Sequence, residues 1–289
     1  MPERRTRTRN RHGLGLAYPL MLLLLALYLI PMLYILLVSL TPVGEPTTGI
    51  PSRLEFGNYG RALAASDFGL FFLNSTIVTL VSALSQIVLS CMAGYALAKS
   101  GLRESNTILM LLIGLLVLPP EIIMIPLFVM ITRVPLLGGN DIFGAGGIGM
   151  LDSYAALFLP HMASALAIFL MRQFYADLPD EIGQAARVDG AGEFRIFAGV
   201  YTPLTLPAVA VVTVLAFQSA WNDFLWPLIV VRSNEMRTLQ LGLTVFYQEN
   251  STQWNLLMAV VLLMSLPVAL IFLFGQRYFT SGITAGSVK

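Results

Sequence analysis

Charged residues are scarce in this chain of 289 residues. Only 11% are Asp, Glu, Lys or Arg, whereas 56% are hydrophobic. Soluble domains carry roughly 25% charged residues, so the composition excludes an ordinary soluble protein of this size. The 17 basic and 16 acidic residues nearly balance, and the net charge therefore gives no reason to expect a nucleic-acid partner.

Cysteine, lysine and histidine are also scarce. The single cysteine, Cys91, excludes a disulfide within the chain. Of the two lysines, only Lys99 lies in a stretch resembling a phosphate loop, Ala93–Ser100, and that stretch has alanine where both glycines are required. His161 has no second ligand at a zinc-like spacing and is predicted to be a hydrogen-bond partner in helix packing. We predict no catalytic residue, no metal site and no enzyme activity in this chain.

Long apolar runs are abundant. A helix that crosses the bilayer core needs about 20 apolar residues. The third run is interrupted by Pro119-Pro120, and the first is too long for the apolar region of a signal peptide. The sequence predicts an all-α integral membrane protein with six transmembrane helices, at 14–40, 72–98, 107–131, 154–174, 204–231 and 256–276.

The distribution of Arg and Lys predicts the orientation. Residues 1–13 form a basic head, and placing it in the cytoplasm puts most other Arg and Lys residues there too. A lipid- or nucleic-acid-binding role is the alternative for this head. We predict cytoplasmic termini, a six-span domain at 14–276 and a tail at 277–289. The glycine-rich outer loop 132–153 is predicted to be irregular and flexible.

The polar segment, residues 177–203, lies between the fourth and fifth predicted spans. Asp177 is predicted to cap a first helix, with acidic residues in the first turn where they suit the helix dipole. Ile182, Ala185 and Ala186 fall on one helical face. Because these side chains are mostly small, another surface can approach this face closely.

The second half of the polar segment has a turn and another apolar stripe. Asp189-Gly190 is predicted to end the first helix, since glycine adopts a positive φ at little cost, and Asp189 to cap the second. The stripe comprises Phe194, Phe197, Ala198 and Tyr201. Two interpretations fit this pattern: a loop that packs under its own helices, and a docking surface for another protein.

The polar segment resembles the EAA loop of the permease subunits of bacterial ABC importers. The family pattern is Glu-Ala-Ala, two residues, Asp-Gly-Ala, then a Phe and a Leu-Pro. The matching positions are Gln184-Ala185-Ala186, Asp189-Gly190-Ala191, Phe197 and Thr202-Pro203. Gln184 replaces the family's glutamate, which removes a charge but keeps a side chain that donates and accepts hydrogen bonds.

Further motifs resemble the smaller, six-span permease of the maltose-type carbohydrate importers. They are Asn74-Ser75, Leu118–Glu121, Trp221–Pro227, Gln276–Phe279 and Gly282–Gly286. The resemblance implies a prokaryotic cytoplasmic-membrane protein, surrounded by lipid, that forms a sugar path with a second homologous permease. It also implies two ATPase subunits, which use ATP and Mg while this chain binds no cofactor, and an extracytoplasmic sugar-binding protein.

The resemblance also implies which residues act. The coupling helix of this family would contact an ATPase subunit through Glu181, Gln184, Ala185, Ala186, Asp189, Gly190, Ala191, Phe197 and Pro203.

A second set of residues is predicted to line the substrate path. A carboxylate at mid-bilayer costs about 2.5–3.5 kcal/mol, so Glu121 and Asp223 should face the protein interior or water. We predict a path lined by Glu121, Trp221, Asn222, Asp223 and Trp226. The alternative for Asp223 is a structural cap or partner of a neighbouring helix.

A stand-alone secondary transporter or channel also fits six spans with buried acids. Such a carrier has no need of a docking element, so the polar segment favours the importer.

Overall fold

The computed structural model describes residues 11–247 and 252–285. These residues form helices joined by irregular segments, without a β-sheet, and this confirms the predicted all-α class. Residues 1–10 of the predicted head and 286–289 of the predicted tail lie outside the described residues. The helices are α1 (Arg11–Ser39), α2 (Gly57–Ala64), α3 (Phe68–Lys99), α4 (Ser105–Val117), α5 (Pro120–Thr132), α6 (Tyr154–Phe158), α7 (Ala165–Ala176), α8 (Asp180–Val188), α9 (Glu193–Ile196), α10 (Thr202–Leu204), α11 (Leu206–Trp221), α12 (Leu225–Val230), α13 (Leu239–Gly242) and α14 (Trp254–Ala285).

Among the described residues, four helical stretches are long and apolar enough to cross a membrane: Tyr18–Ser39, Phe68–Lys99, Leu206–Val230 and Trp254–Gln276. Two bent pairs qualify if each is counted as one span. The helices α4 and α5 meet at 104°, and α6 with its following turn meets α7 at 41°. The break predicted at Pro119-Pro120 is confirmed, because α4 ends at Val117 and Pro120 begins α5.

The described residues pack as two units, one reaching Ala65 and including Phe246–Leu263, the other comprising Ser66–Val245 and the residues from Met264 onward. In the first unit, the buried amide of Asn58 donates to the carbonyl oxygens of Ser39 and Thr41, each at 2.8 Å. These bonds satisfy carbonyl groups that the end of α1 leaves without helical partners.

In the second unit, α3 packs against α7 and α11. The approach to α7 is closest at Gly94, where a Cβ would lie 2.7 Å from both the Met171 Cβ and the Arg172 backbone nitrogen. Only glycine permits this backbone contact. Two apolar clusters result. Near Lys99 the cluster includes Tyr95, Met171, Tyr175 and Tyr201, and toward Phe68 it includes Val78, Leu157 and Trp226.

The glycine-rich loop is irregular between Arg133 and Ser153, as predicted, but its packing is close. The Asp141 carboxylate accepts hydrogen bonds from the backbone N–H groups of Phe143 and Ala145, at 2.8 and 2.9 Å. A Cβ at Gly138 would lie 2.1 Å from the Gly149 carbonyl oxygen. The loop is therefore a coil of closely packed backbone, and its flexibility stays a prediction.

Candidate functional site

The polar segment folds as two short helices, α8 and α9, but neither predicted cap is correct. Asp177 ends α7 instead, since its N–H bonds to the Gln173 carbonyl, and Pro179 precedes α8. Gly192, rather than Asp189, precedes α9. The predicted acidic first turn is present, with Asp180 and Glu181 at the positive end of the α8 dipole.

The Asp189-Gly190 turn ends α8 as predicted. Gly190 has a φ of +80°, and its N–H bonds to the Arg187 carbonyl at 3.0 Å. The Ala191 N–H bonds to the Ala186 carbonyl, also at 3.0 Å. This pair of bonds is a Schellman motif, in which glycine supplies the left-handed residue that reverses the chain.

The two faces of α8 differ. Gly183 is buried, and Ala186 packs on the apolar cluster near Lys99. On the opposite face of α8, Val188 is 88% exposed. On α9, Phe194, which belonged to the predicted second stripe, is 75% exposed. Of the residues predicted for coupling, Glu181, Gln184, Ala185, Asp189, Gly190 and Pro203 are exposed, whereas Ala186, Ala191 and Phe197 are half-buried.

Lys99 contacts the start of α8, which the sequence interpretation did not foresee. Its Nζ donates to the Leu178 carbonyl at 2.6 Å and to the Asp180 carboxylate at 2.5 Å. The Nζ also lies 5.4 Å from the centre of the Tyr201 ring. The sequence interpretation assigned Lys99 no role beyond a topology signal, and no local pattern pairs it with residues so distant in the chain.

Tyr95, one helical turn before Lys99, contacts α9. Its hydroxyl donates to Glu193 Oε2 at 3.1 Å, and Arg187 Nε donates to Glu193 Oε1 at 2.6 Å. The Arg187 hydrogen bond, assisted by that of Tyr95, lowers the pKa of Glu193 below its ordinary value. The i, i+4 spacing of Tyr95 and Lys99 was the only sequence signal for a shared face.

A cavity of about 470 Å³ lies between α5, the turn Leu159–His161 and the end of α11. We call it the Asp223 cavity. Its polar lining comprises Glu121, His161, Ser219, Asn222 and Asp223, and its apolar lining includes Met124, Leu127, Phe224 and Trp226. Trp221, also predicted for the path, does not line it: its buried indole N–H donates to the Met264 carbonyl at 3.1 Å.

Asp223 connects several elements around this cavity. Its Oδ2 lies 2.8 Å from His161 Nε2, as predicted for His161 in helix packing. Its Oδ1 accepts from the backbone N–H of Trp226 at 3.3 Å, near the start of α12. The Trp226 indole donates in turn to the Ala156 carbonyl at 2.7 Å. The carboxylate thus holds a structural position and faces the cavity as well.

The chain is similar to known transport permeases. Residues 86–285 match a family described as "Binding-protein-dependent transport system inner membrane component". The permease protein AraQ of the Bacillus subtilis (strain 168) arabinooligosaccharides transport system is 35% identical over 270 residues, 91% of each chain. The sn-glycerol-3-phosphate permease protein UgpE of Pectobacterium atrosepticum is 35% identical over 246 residues, 82% of this chain and 83% of UgpE.

Two further matches support the same architecture. The melibiose/raffinose/stachyose import permease protein MelC of Bacillus subtilis (strain 168) is 30% identical over 267 residues, 91% of this chain and 92% of MelC. A chain from the crystal structure of a bacterial ABC transporter that imports alginate matches with a TM-score of 0.75 and 24% identity, covering 96% of this chain and 100% of that one. The structural match bears on the fold alone.

Proposed function

Because the chain belongs to the binding-protein-dependent transport system inner membrane components, as a carbohydrate permease of the maltose type, we propose that it forms a sugar path with a second homologous permease. The transported solute is a sugar or an oligosaccharide. The chain is a multi-pass membrane protein, and ATP hydrolysis takes place in two separate ATPase subunits that use ATP and Mg. An extracytoplasmic binding protein delivers the sugar.

The proposed topology has six spans. Each bent pair, α4 with α5 and α6 with α7, counts as one span, and the four longer stretches supply the rest. The positive-inside rule then places both termini, Lys99 and the polar segment in the cytoplasm. The glycine-rich loop lies outside.

The exposed face of α8 carries the docking proposal. A segment that merely packed under its own helices would bury its apolar side chains, yet Val188 and Phe194 are 88% and 75% exposed. Each of these two side chains, one on α8 and one on α9, is therefore available for contact with a partner protein. We assign the exposed face of α8, which carries Gln184, Ala185 and Val188, to a groove in an ATPase subunit.

The Asp223 cavity is our proposed part of the sugar path in this chain. A volume of about 470 Å³ lies within the range of roughly 300–1,000 Å³ typical of small-molecule sites. The carboxylates of Glu121 and Asp223 accept hydrogen bonds from sugar hydroxyls, and the Asn222 amide both donates and accepts. Neighbouring apolar groups, Trp226 among them, supply contact for the apolar faces of a sugar ring.

Purification in mild detergent tests the proposed function. We expect two ATPase subunits and a second permease to co-purify with this chain. The complex, reconstituted in liposomes with its binding protein, should take up a neutral oligosaccharide only when ATP is supplied. Arabinose oligomers and raffinose are the first substrates to try, since relatives are named for such sugars. Sugar uptake by the isolated chain without ATP would instead favour a stand-alone carrier.

A further inference from the structure

The helix α3 contacts both helices of the polar segment, although it lies far from them in the chain. Lys99 bonds to Leu178 and Asp180 at the start of α8. Tyr95 bonds to Glu193, the first residue of α9. We call these contacts of Lys99 and Tyr95 the α3 tether. Because the two residues are one helical turn apart, the tether acts from a single face of α3.

The Lys99 side chain is buried and bonded at this position. It is only 6% exposed, whereas its partner Asp180 is 72% exposed. An ammonium group removed from water needs charge or hydrogen-bond partners, and here the Asp180 carboxylate, the Leu178 carbonyl and the Tyr201 ring supply them. The ring adds a cation–π contact. Movement of the first turn of α8 away from α3 would leave this charge poorly solvated.

Tyr201 also contacts the start of α8. It is 2% exposed, its hydroxyl donates to the Pro179 carbonyl at 3.3 Å, and its ring lies against Gly183. Tyr201 ends the π-helical turn Phe197–Tyr201, just before α10. The first turn of α8 therefore contacts both α3 and the chain that leads into α11.

From these contacts we propose that Lys99 and Tyr95 are positioning residues that make α3 move with α8. The proposal rests on the proposed function, in which α8 docks in a groove of an ATPase subunit, and it adds that movement of that subunit displaces α8. The chain itself links α8 to α7 and, through α9 and α10, to α11. Without the tether, α3 has no bond to α8 and would follow its movement only through packing. With the α3 tether in place, α3, α7 and α11 are displaced together.

The experiment uses the complete complex in liposomes and measures sugar transported per ATP hydrolysed. Lys99→Met keeps the length and apolar stem but removes both hydrogen bonds. We expect assembly and ATP hydrolysis to persist while the ratio falls about tenfold, as loss of a charged hydrogen bond predicts. Lys99→Arg should restore most of the ratio. Tyr95→Phe removes a single hydroxyl and should lower the ratio of sugar transported to ATP hydrolysed about twofold.

Arg103→Met is the matched control, because Arg103 is exposed in the turn that follows α3. It removes the same charge and should leave the ratio unchanged. Spin labels at positions 100 and 192, both exposed and outside the proposed docking face of α8, supply a second readout. Their separation should stay constant on nucleotide binding in the wild type and change in Lys99→Met, which a purely structural role of Lys99 does not predict.

The outcomes are distinct. An unchanged ratio in the assembled Lys99→Met complex, whether or not the yield falls, would overturn the tether while leaving the importer intact. A nucleotide-dependent separation in the wild type would overturn it too. If no ATPase co-purifies with the wild-type chain, the proposed function itself fails.

Discussion

The Tyr201 hydroxyl oxygen lies 2.7 Å from the point that a Cβ on Gly183 would occupy. No side chain fits between the two residues, so α8 and the Tyr201 ring are in contact at the backbone of α8. Tyr201 has little room to yield, because its ring is packed among Tyr95 and other buried side chains. The glycine thus sets the distance between α8 and the chain leading to α11.

Gly183→Ala should therefore disturb coupling, although alanine favours a helix over glycine by about 1 kcal/mol. The added methyl group must push α8 away from Tyr201, and with it from Lys99. We expect the sugar transported per ATP to fall several-fold with little loss of assembled complex. Tyr201→Phe in the same chain removes the nearest atom and should restore part of the ratio, so a double-mutant cycle measures the contact. Gly192→Ala, with open space around it, is the control and should behave as wild type.

Gly190→Val tests the turn after α8. Its φ of +80° is costly for any residue with a Cβ, by roughly 1–2 kcal/mol and more for a β-branched one. No atom lies within 4 Å of the Cβ position, so the penalty is local to the backbone. We expect normal membrane insertion with transport uncoupled from ATP hydrolysis. Gly192→Val adds the same bulk in equally open space at a φ of −73°. Equal transport by the two variants, or normal sugar uptake by Gly190→Val, would contradict the docking role of this turn.

Local properties of the sequence predicted the helices well. Apolar length predicted a span at 72–98, and the helix is Phe68–Lys99. The break at Pro119-Pro120 and the stop at Gly190 were also predictable, because proline and glycine act through their own backbone. Caps were less predictable. Asp177 is a residue type that favours the start of a helix, yet α7 extends to Ala176 and leaves Asp177 at its end.

Contacts between distant segments could not be predicted from those local properties. Lys99 meets Asp180 across 81 residues, and the Trp221 indole meets the Met264 carbonyl across 43. Trp221 is adjacent to Asn222, which lines the Asp223 cavity, yet the direction of its side chain is set by packing against α14. Its position next to Asn222 in the sequence therefore did not bring the Trp221 side chain into the cavity.

Asp223→Asn separates the structural role of Asp223 from its proposed role in the sugar path. Asparagine retains an oxygen for the Trp226 N–H and a polar group facing His161, but it removes the charge from the cavity. We expect the complex to assemble in normal yield while transport falls about tenfold, and Asp223→Ala to reduce transport further. Trp221→Phe is the contrasting variant. It removes a buried hydrogen bond outside the cavity, so it should lower stability by about 1 kcal/mol and leave the apparent sugar affinity unchanged. An Asp223 variant that fails only in assembly would support a purely structural role.

The charge of the Asp223 cavity predicts which sugars it accepts. Among the described residues that line it, Glu121 and Asp223 are acidic, His161 pairs with Asp223, and none is Lys or Arg. An anionic sugar would meet like charge, which costs several kcal/mol at close range. We expect the purified complex, without its binding protein, to bind neutral oligosaccharides at least tenfold more tightly than uronic-acid oligosaccharides of equal length.

Glu121→Gln should weaken that discrimination. It removes one of the two acidic charges but keeps the size of the side chain and one oxygen that accepts hydrogen bonds, so the affinity for the uronic-acid sugar should rise several-fold while that for the neutral sugar changes by less than about twofold. Glu104→Gln removes an exposed acid that does not line the cavity and should change neither affinity. Equilibrium binding of radiolabelled sugars measures both. If the wild type binds the two classes equally, or if Glu121→Gln weakens both alike, Glu121 holds the cavity in shape and the choice of sugar is made elsewhere in the importer.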